Sequence, residues 1–207
     1  MAKKITLWFG YFVIATAISW GFYQVIPYAQ RMQKKYTNIR QIEALIDVVR
    51  TYPYANMFYN GLNNSFFYEH KVGHEMVAHQ DKSIENMQGG QVFVLGSPAR
   101  LGSKINDSFV ISLVWISRDQ CIDLATYDWR KLSNAKVLGI VASSEGMRAD
   151  IEGEGVYADC NGLLVPDRYV AGCLNGNNIS IPVSRDDAKQ ACHCYRGSGC
   201  SFSIKLY

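Results

Sequence analysis

An α+β fold, a long N-terminal helix laid on an antiparallel sheet, is what this sequence predicts, and three observations predict it. No charged residue occurs from Ile5 to Gln30. Apolar residues then recur at three- and four-residue steps up to Val49. After Pro53 the pattern breaks into short apolar or alternating runs separated by turn residues. The first two features are helical signatures and the third is that of strands. With 207 residues, 48% of them apolar, the chain has room for one domain with a real core plus an accessory segment.

The uncharged run Ile5–Tyr28 holds 24 residues, which at about 1.5 Å per residue crosses a ~30 Å hydrocarbon layer. Its aromatics cluster toward both ends, with Trp8, Phe9 and Tyr11 on one side and Trp20, Phe22, Tyr23 and Tyr28 on the other. The run exceeds a signal-peptide core and no small-residue cleavage site follows, so segment 1–30 is expected to be an uncleaved transmembrane helix that includes Ile14. Pro27 should kink it. Residues 31–53 continue the helix as an amphipathic stretch. There Ile39, Ile42, Ile46 and Val49 lie on one apolar stripe and pack on a globular domain, residues 54–207. Membrane lipid is therefore an expected partner.

In that domain, Tyr54–Met87 reads as a short helix and loops. Gln91–Leu95 and Phe109–Ile116 read as strands, the second buried or alternating. Ser117 is a capping residue for a helix over Arg118–Asp128, with Asp119 in its first turn. Ala135–Ala142 reads as a strand, and the glycine-rich stretch Glu152–Asn178 as paired short strands with a turn at Asn161-Gly162. Ser184 caps a further helix, and Ser201–Leu206 alternates as a final strand.

Net charge is only +3 and no run of Lys or Arg exceeds two, which excludes a strong footprint for nucleic acid. The G-x-S-x-G, P-loop and dinucleotide fingerprints are absent from the sequence, and neither a catalytic role nor a cofactor is expected. Six cysteines, all after residue 120, allow fifteen connectivities. Their number in a small domain favours disulfides made in an oxidising compartment. The basic flanks, Lys3 and Lys4 against Arg31, Lys34, Lys35 and Arg40, would by themselves leave the domain in the cytoplasm. The cysteines outweigh them, because Arg31–Arg40 belongs to the packed helix.

A rival chemistry is metal. Cys192-His193-Cys194 with Cys200 offers thiolates and imidazole, but neighbouring ligands strain a tetrahedral ion. Glu69-His70, His74-Glu75 and His79 form a second cluster, in which His70 and His74 would share a face as i, i+4 ligands if the stretch were helical; Gly73 weakens such a helix, so a solvated loop is expected and no metal site. Tyr52, Tyr54, Phe58, Tyr59, Phe66, Phe67 and Tyr68 form a dense aromatic segment, suited either to core packing or to a partner interface.

Several of these pieces, taken in order, resemble a type IVb pilin: the hydrophobic helix running into Tyr28–Arg31, the double glycine that opens Gly89–Val94 before a strand, the run Phe109–Ala125, Ser184–Cys192 and the final strand. The resemblance implies a pilin-like head locked by a Cys121–Cys192 disulfide. The simplest completion then joins Cys160 to Cys173 across a hairpin and Cys194 to Cys200 across a small loop, with roles among Cys192, Cys194 and Cys200 exchangeable. It further implies a structural subunit of a type IV pilus, assembling through its N-terminal helix and presenting the head for adhesion or cell contact. Its expected partners are other pilin subunits and the inner-membrane assembly machinery. Its expected place is the bacterial inner membrane with the head in the periplasm, or an extracellular pilus. One departure bears on this. Lys4 stands where prepilins carry the glycine of the leader junction, and Phe9 where they carry a glutamate. Met1–Lys4 is expected to stay attached in a substantial fraction of the protein. The alternative implied is a bitopic periplasmic component of a secretion or conjugation apparatus that keeps the fold but is neither processed nor polymerised.

Overall fold

The computed structural model describes residues 2–52, 58–70, 76–81, 83–86, 89–98, 105–132, 137–143, 169–170, 173–174, 177–178, 182–194 and 199–207. Helix α1 runs Ala2–Arg50, with Pro27 inside it, and ends as expected just before Pro53. The chain forms two compact units, Met1–Thr37 and Asn38–Tyr207. The head unit thus begins inside α1, earlier than the change of pattern at Pro53 suggests. In the first unit Ile14 lies outside the described side chains, while Pro27 is exposed. Among the described residues no helix is long and apolar enough to cross a membrane.

In the head, α2 (Asn64–Glu69), β1 (Val77–Ala78) and β2 (Ile84–Glu85) precede β3 (Gln91–Ser97) and β4 (Ser108–Ile116). Then come α3 (Arg118–Ala125), a 3-10 turn at Trp129–Lys131, β5 (Val137–Ser143), β6 (Tyr169–Val170), β7 (Cys173–Leu174), β8 (Asn177–Asn178), α4 (Arg185–Ala191) and β9 (Cys200–Leu206). The described strands form a sheet ordered β1-β2-β3-β4-β9-β5-β6, with β7 and β8 as a separate pair. Every described pairing is antiparallel. The strand that comes last in the chain therefore sits inside the sheet, between β4 and β5.

Side chains alternate across a strand, so each strand presents two sets. One set, Val92, Val94, Phe109, Ile111, Leu113, Ile140, Phe202, Ile204 and Leu206, merges with Ile39, Ile42, Leu45, Ile46 and Val49 of α1 and with Cys121, Ile122, Leu124 and Ala125 of α3 into one core. The other set, Val110, Ser112, Val114, Ser201, Ser203 and Lys205, is buried as well. Phe109–Ile116 is thus buried on both faces except at Trp115, which decides between the two readings of that strand.

Differences from the sequence reading have local causes. The helix expected over Arg118–Asp128 stops at Ala125, because the Tyr127 amide bonds only three residues back, to the Leu124 carbonyl, and the chain tightens into the turn holding Trp129. Two-residue strands such as β1 and β2 are too short to show a period of two, and they fall in a stretch read as helix and loops. Most of Glu152–Asn178, including the expected turn at Asn161-Gly162, lies outside the described residues.

Candidate assembly surface and disulfide-locked edge

The stripe on α1 is the first functional element. Ile39, Ile42, Ile46 and Val49 are buried, with Leu45 between them. Full burial of such side chains contributes roughly 1.5–3 kcal/mol each, so this turn-by-turn contact outweighs any single surface pairing. Two polar residues share the buried part of α1: Gln41 and Asn38, and the Asn38 amide has no hydrogen-bond partner on either atom.

In the first unit most of the described apolar side chains are exposed. Trp20 is 72% and Tyr23 76% exposed, and Val25, Ile26, Tyr28 and Tyr36 are exposed too. A helix that leaves such residues uncovered has its apolar surface available to lipid or to another chain.

Disulfides fix the edge where α3, α4 and β9 meet. Cys121 on α3 is joined to Cys192 at the end of α4, with Cα atoms 5.8 Å apart. Cys194 is joined to Cys200, the first residue of β9, with Cα atoms 5.2 Å apart. Two adjoining bonds thus tie the two short helices to the strand inside the sheet. Cys160, and the side chain of Cys173 in β7, lie outside the described residues, so their expected bond does too. Among the described residues no cysteine is free.

Local capping explains why the two helices start where they do. Ser117 Oγ accepts from the Gln120 amide at 3.3 Å while the Ser117 amide donates to Gln120 Oε1 at 2.8 Å, a reciprocal capping box. Ser184 Oγ accepts from the Asp187 amide at 3.2 Å. Trp129, which the sequence reading did not single out, is fully buried. Its Nε1–H donates to the Leu124 carbonyl at 2.8 Å and its ring stacks on Phe202, centroids 5.7 Å apart. Its signal was weak, because one aromatic beyond a helix end fits no periodic pattern.

The sulfurs that a zinc site at Cys192, Cys194 and Cys200 would need are all in disulfides, which removes the thiolates. The histidines are engaged locally. His70 Nδ1–H donates to the Phe66 carbonyl at 2.8 Å and stacks on that ring, and His79 Nε2 lies 3.0 Å from Glu85 Oε2. His74 and Glu75 lie outside the described residues, and no metal-binding group of histidine, cysteine and carboxylates exists among the described ones. The aromatic segment divides. Tyr59 and Phe67 are core, Tyr52 and Phe66 pack against it and meet each other edge to face, and Phe58 and Tyr68 are exposed. Tyr54 lies outside the described residues.

One exposed aromatic stands apart. Trp115 occupies the left-handed region, φ 63°, at a bulge where the β4–β9 register shifts, and its side chain is 59% exposed.

Comparison with known proteins completes the picture. The model of the family described as PilS N terminal matches residues 29–166, and no curated protein matches the chain.

Proposed function

We propose, for a chain that belongs to the PilS N-terminal family and so to the type IV pilin-related proteins, a structural role as a subunit of a type IV pilus. The chain acts by assembly and not by catalysis. Its N-terminal helix, inserted in the inner membrane before assembly, bundles with those of other subunits. The disulfide-stabilised head, carried in the periplasm and then on the filament, forms the outer surface for adhesion or cell contact. The observation that supports this reading best is the exposure of Trp20, Tyr23, Val25, Ile26 and Tyr28 along a stretch without charge. Those rings and aliphatic chains gain by burial only against lipid or other helices.

The experiment is to shear surface filaments from cells producing the chain and probe the filament fraction for it. Recovery there, dependent on the assembly machinery, supports the subunit. Retention of all the chain in the inner-membrane fraction would favour a second reading, a bitopic component that keeps the fold but does not polymerise. A specific observation favours that reading: Lys4 and Phe9 stand where the resemblance expects a glycine and a glutamate. The intramembrane acid is tolerated in pilins because it pairs with a neighbouring subunit's freed amine, and Phe9 cannot do so.

A further inference from the structure

The two adjoining disulfides differ in what surrounds their sulfurs. Cys121, Cys192 and Cys200 are fully buried and belong to the core, whereas Cys194 is half-buried at its margin, next to an exposed His193. Cys121 Sγ lies 3.8 Å from the Ser201 carbonyl oxygen, so the Cys121–Cys192 bond is shut in against β9. Of the four sulfurs, Cys194 Sγ therefore belongs to the one residue that solvent reaches. The elements joined by Cys194–Cys200 also have a second hold. Strand β9 is paired to β4 from Cys200 to Leu206 and to β5 from Ser201 to Leu206. The end of α4 is fixed by the Cys192 amide, which donates to the Ala188 carbonyl at 2.9 Å, and by the bond from Cys192 to α3. Opening Cys194–Cys200 thus leaves both ends in place.

We propose that Cys194–Cys200 is a thiol-exchange site, opened by a dithiol reductant while the head stays folded, whereas Cys121–Cys192 opens only when the head unfolds. The incoming thiolate attacks Cys194 Sγ. A new S–S bond forms there as the Cys194–Cys200 bond breaks, and the electron pair leaves on Cys200 Sγ, which takes up a proton. The second thiolate of the reductant then attacks its partner sulfur in the mixed disulfide and releases Cys194 as a thiol. The dithiol is oxidised to a disulfide, and Cys194 and Cys200 are reduced to two thiols. A dithiol suits the site because Cys200, 6 residues from Cys194, recloses the small ring on a single attacking thiol that lingers. At Cys121–Cys192 the same attack would have to bring a charged thiolate into the core, which desolvation opposes.

The test uses the full chain in mild detergent, treated with dithiothreitol, quenched at intervals with iodoacetamide and read cysteine by cysteine through peptide mapping. Cys194 and Cys200 should be alkylated together, at least about a hundredfold faster than Cys121 and Cys192. Low urea should quicken the slow pair, whose reaction waits for unfolding, and leave the fast pair unchanged. With only the fast pair open, the head should still resist thermolysin. The double variant Cys194→Ser with Cys200→Ser should resist it too, and its Cys121–Cys192 bond should stay slow to react. Equal rates for the two pairs, a fast pair that quickens with urea, or a head that turns protease-sensitive once Cys194–Cys200 is open or replaced would each overturn the exchange site.

Discussion

Gly199 stands directly against the backbone of Trp115. Both residues are left-handed, φ 64° and 63°, and a Cβ at Gly199 would lie 2.9 Å from the Trp115 Cα. The bulge in β4 therefore rests on a glycine just before β9, and the indole it carries is turned into solvent. Left-handed backbone costs a non-glycine residue roughly 1–2 kcal/mol. Trp115→Gly should thus leave the head as stable or raise its stability by about 1 kcal/mol, since little burial is lost. Gly199→Ala should destabilise it by more than that. Urea denaturation of the two variants checks the pair.

The two described disulfides should differ in weight. Opening Cys121–Cys192, 71 residues apart, should cost about 4 kcal/mol, and opening Cys194–Cys200, 6 residues apart, about 2 kcal/mol on the chain-entropy account. Paired serine substitutions, compared by equilibrium unfolding without reductant, give the order. Equal losses would place the stabilisation in the folded contacts instead.

Ile42 and Ile46 should behave as core residues. Each Ile→Ala change should cost ~2–5 kcal/mol, and Ile42→Asp with Ile46→Asp should unfold the head, because unpaired charge would enter the core. Limited proteolysis reads this out. Ile14→Asp, in the uncharged stretch, should leave the head protease-resistant while lowering the amount of chain in the membrane or filament fraction.

Asn38 should prove a stability deficit. Its buried amide has no hydrogen-bond partner, so Asn38→Leu, with the same branching though bulkier, should stabilise the head by about 1–3 kcal/mol where the added bulk is accommodated. Thermal unfolding of the two proteins side by side suffices.

Stability should rise with pH between about 8 and 10 and then turn over. Lys205 loses its proton near 8 in the folded head but near 10.5 when unfolded. Between those values the unfolded state holds the extra proton, and the slope of stability with pH is positive. Tyr59 works in reverse: burial raises its pKa above 10.0, so the unfolded chain ionises first and stability falls beyond that point. Lys205→Met should abolish the rise and keep the fall, measured as urea midpoints across pH.

What the sequence made legible was whatever local chemistry writes. Phe109–Ile116 shows as a strand because it is a continuous apolar run, and Ser117 and Ser184 show as caps because a small hydroxyl precedes each helix. The stripe of Ile39, Ile42, Ile46 and Val49 shows because helical spacing repeats. Long-range features left no such mark. Ser112 and Ser203 look like solvent-facing residues of alternating strands, yet their hydroxyls pair at 2.7 Å inside the protein. Lys205 looks like a surface lysine, yet it is buried with its ammonium on the Pro98 carbonyl, 107 residues earlier. The left-handed Trp115 sits against Gly199, just before a strand far along the chain. The gap is one of sequence separation: period and capping act within a few residues, whereas these contacts are set by the sheet order.

The place of β9 bears on how the protein is made. The first four strands can pair with one another as they emerge, and β5 with β6, but β9 must arrive to join the two groups. Until that strand arrives, the sheet exists as two separate pieces, and Cys121 and Cys192 have no fixed geometry in which to meet. Closure is consequently a late event in biosynthesis. A chain interrupted before Cys200 cannot complete the head and presents open β4 and β5 edges to chaperones and proteases. Only chains that include β9 acquire the protease-resistant form.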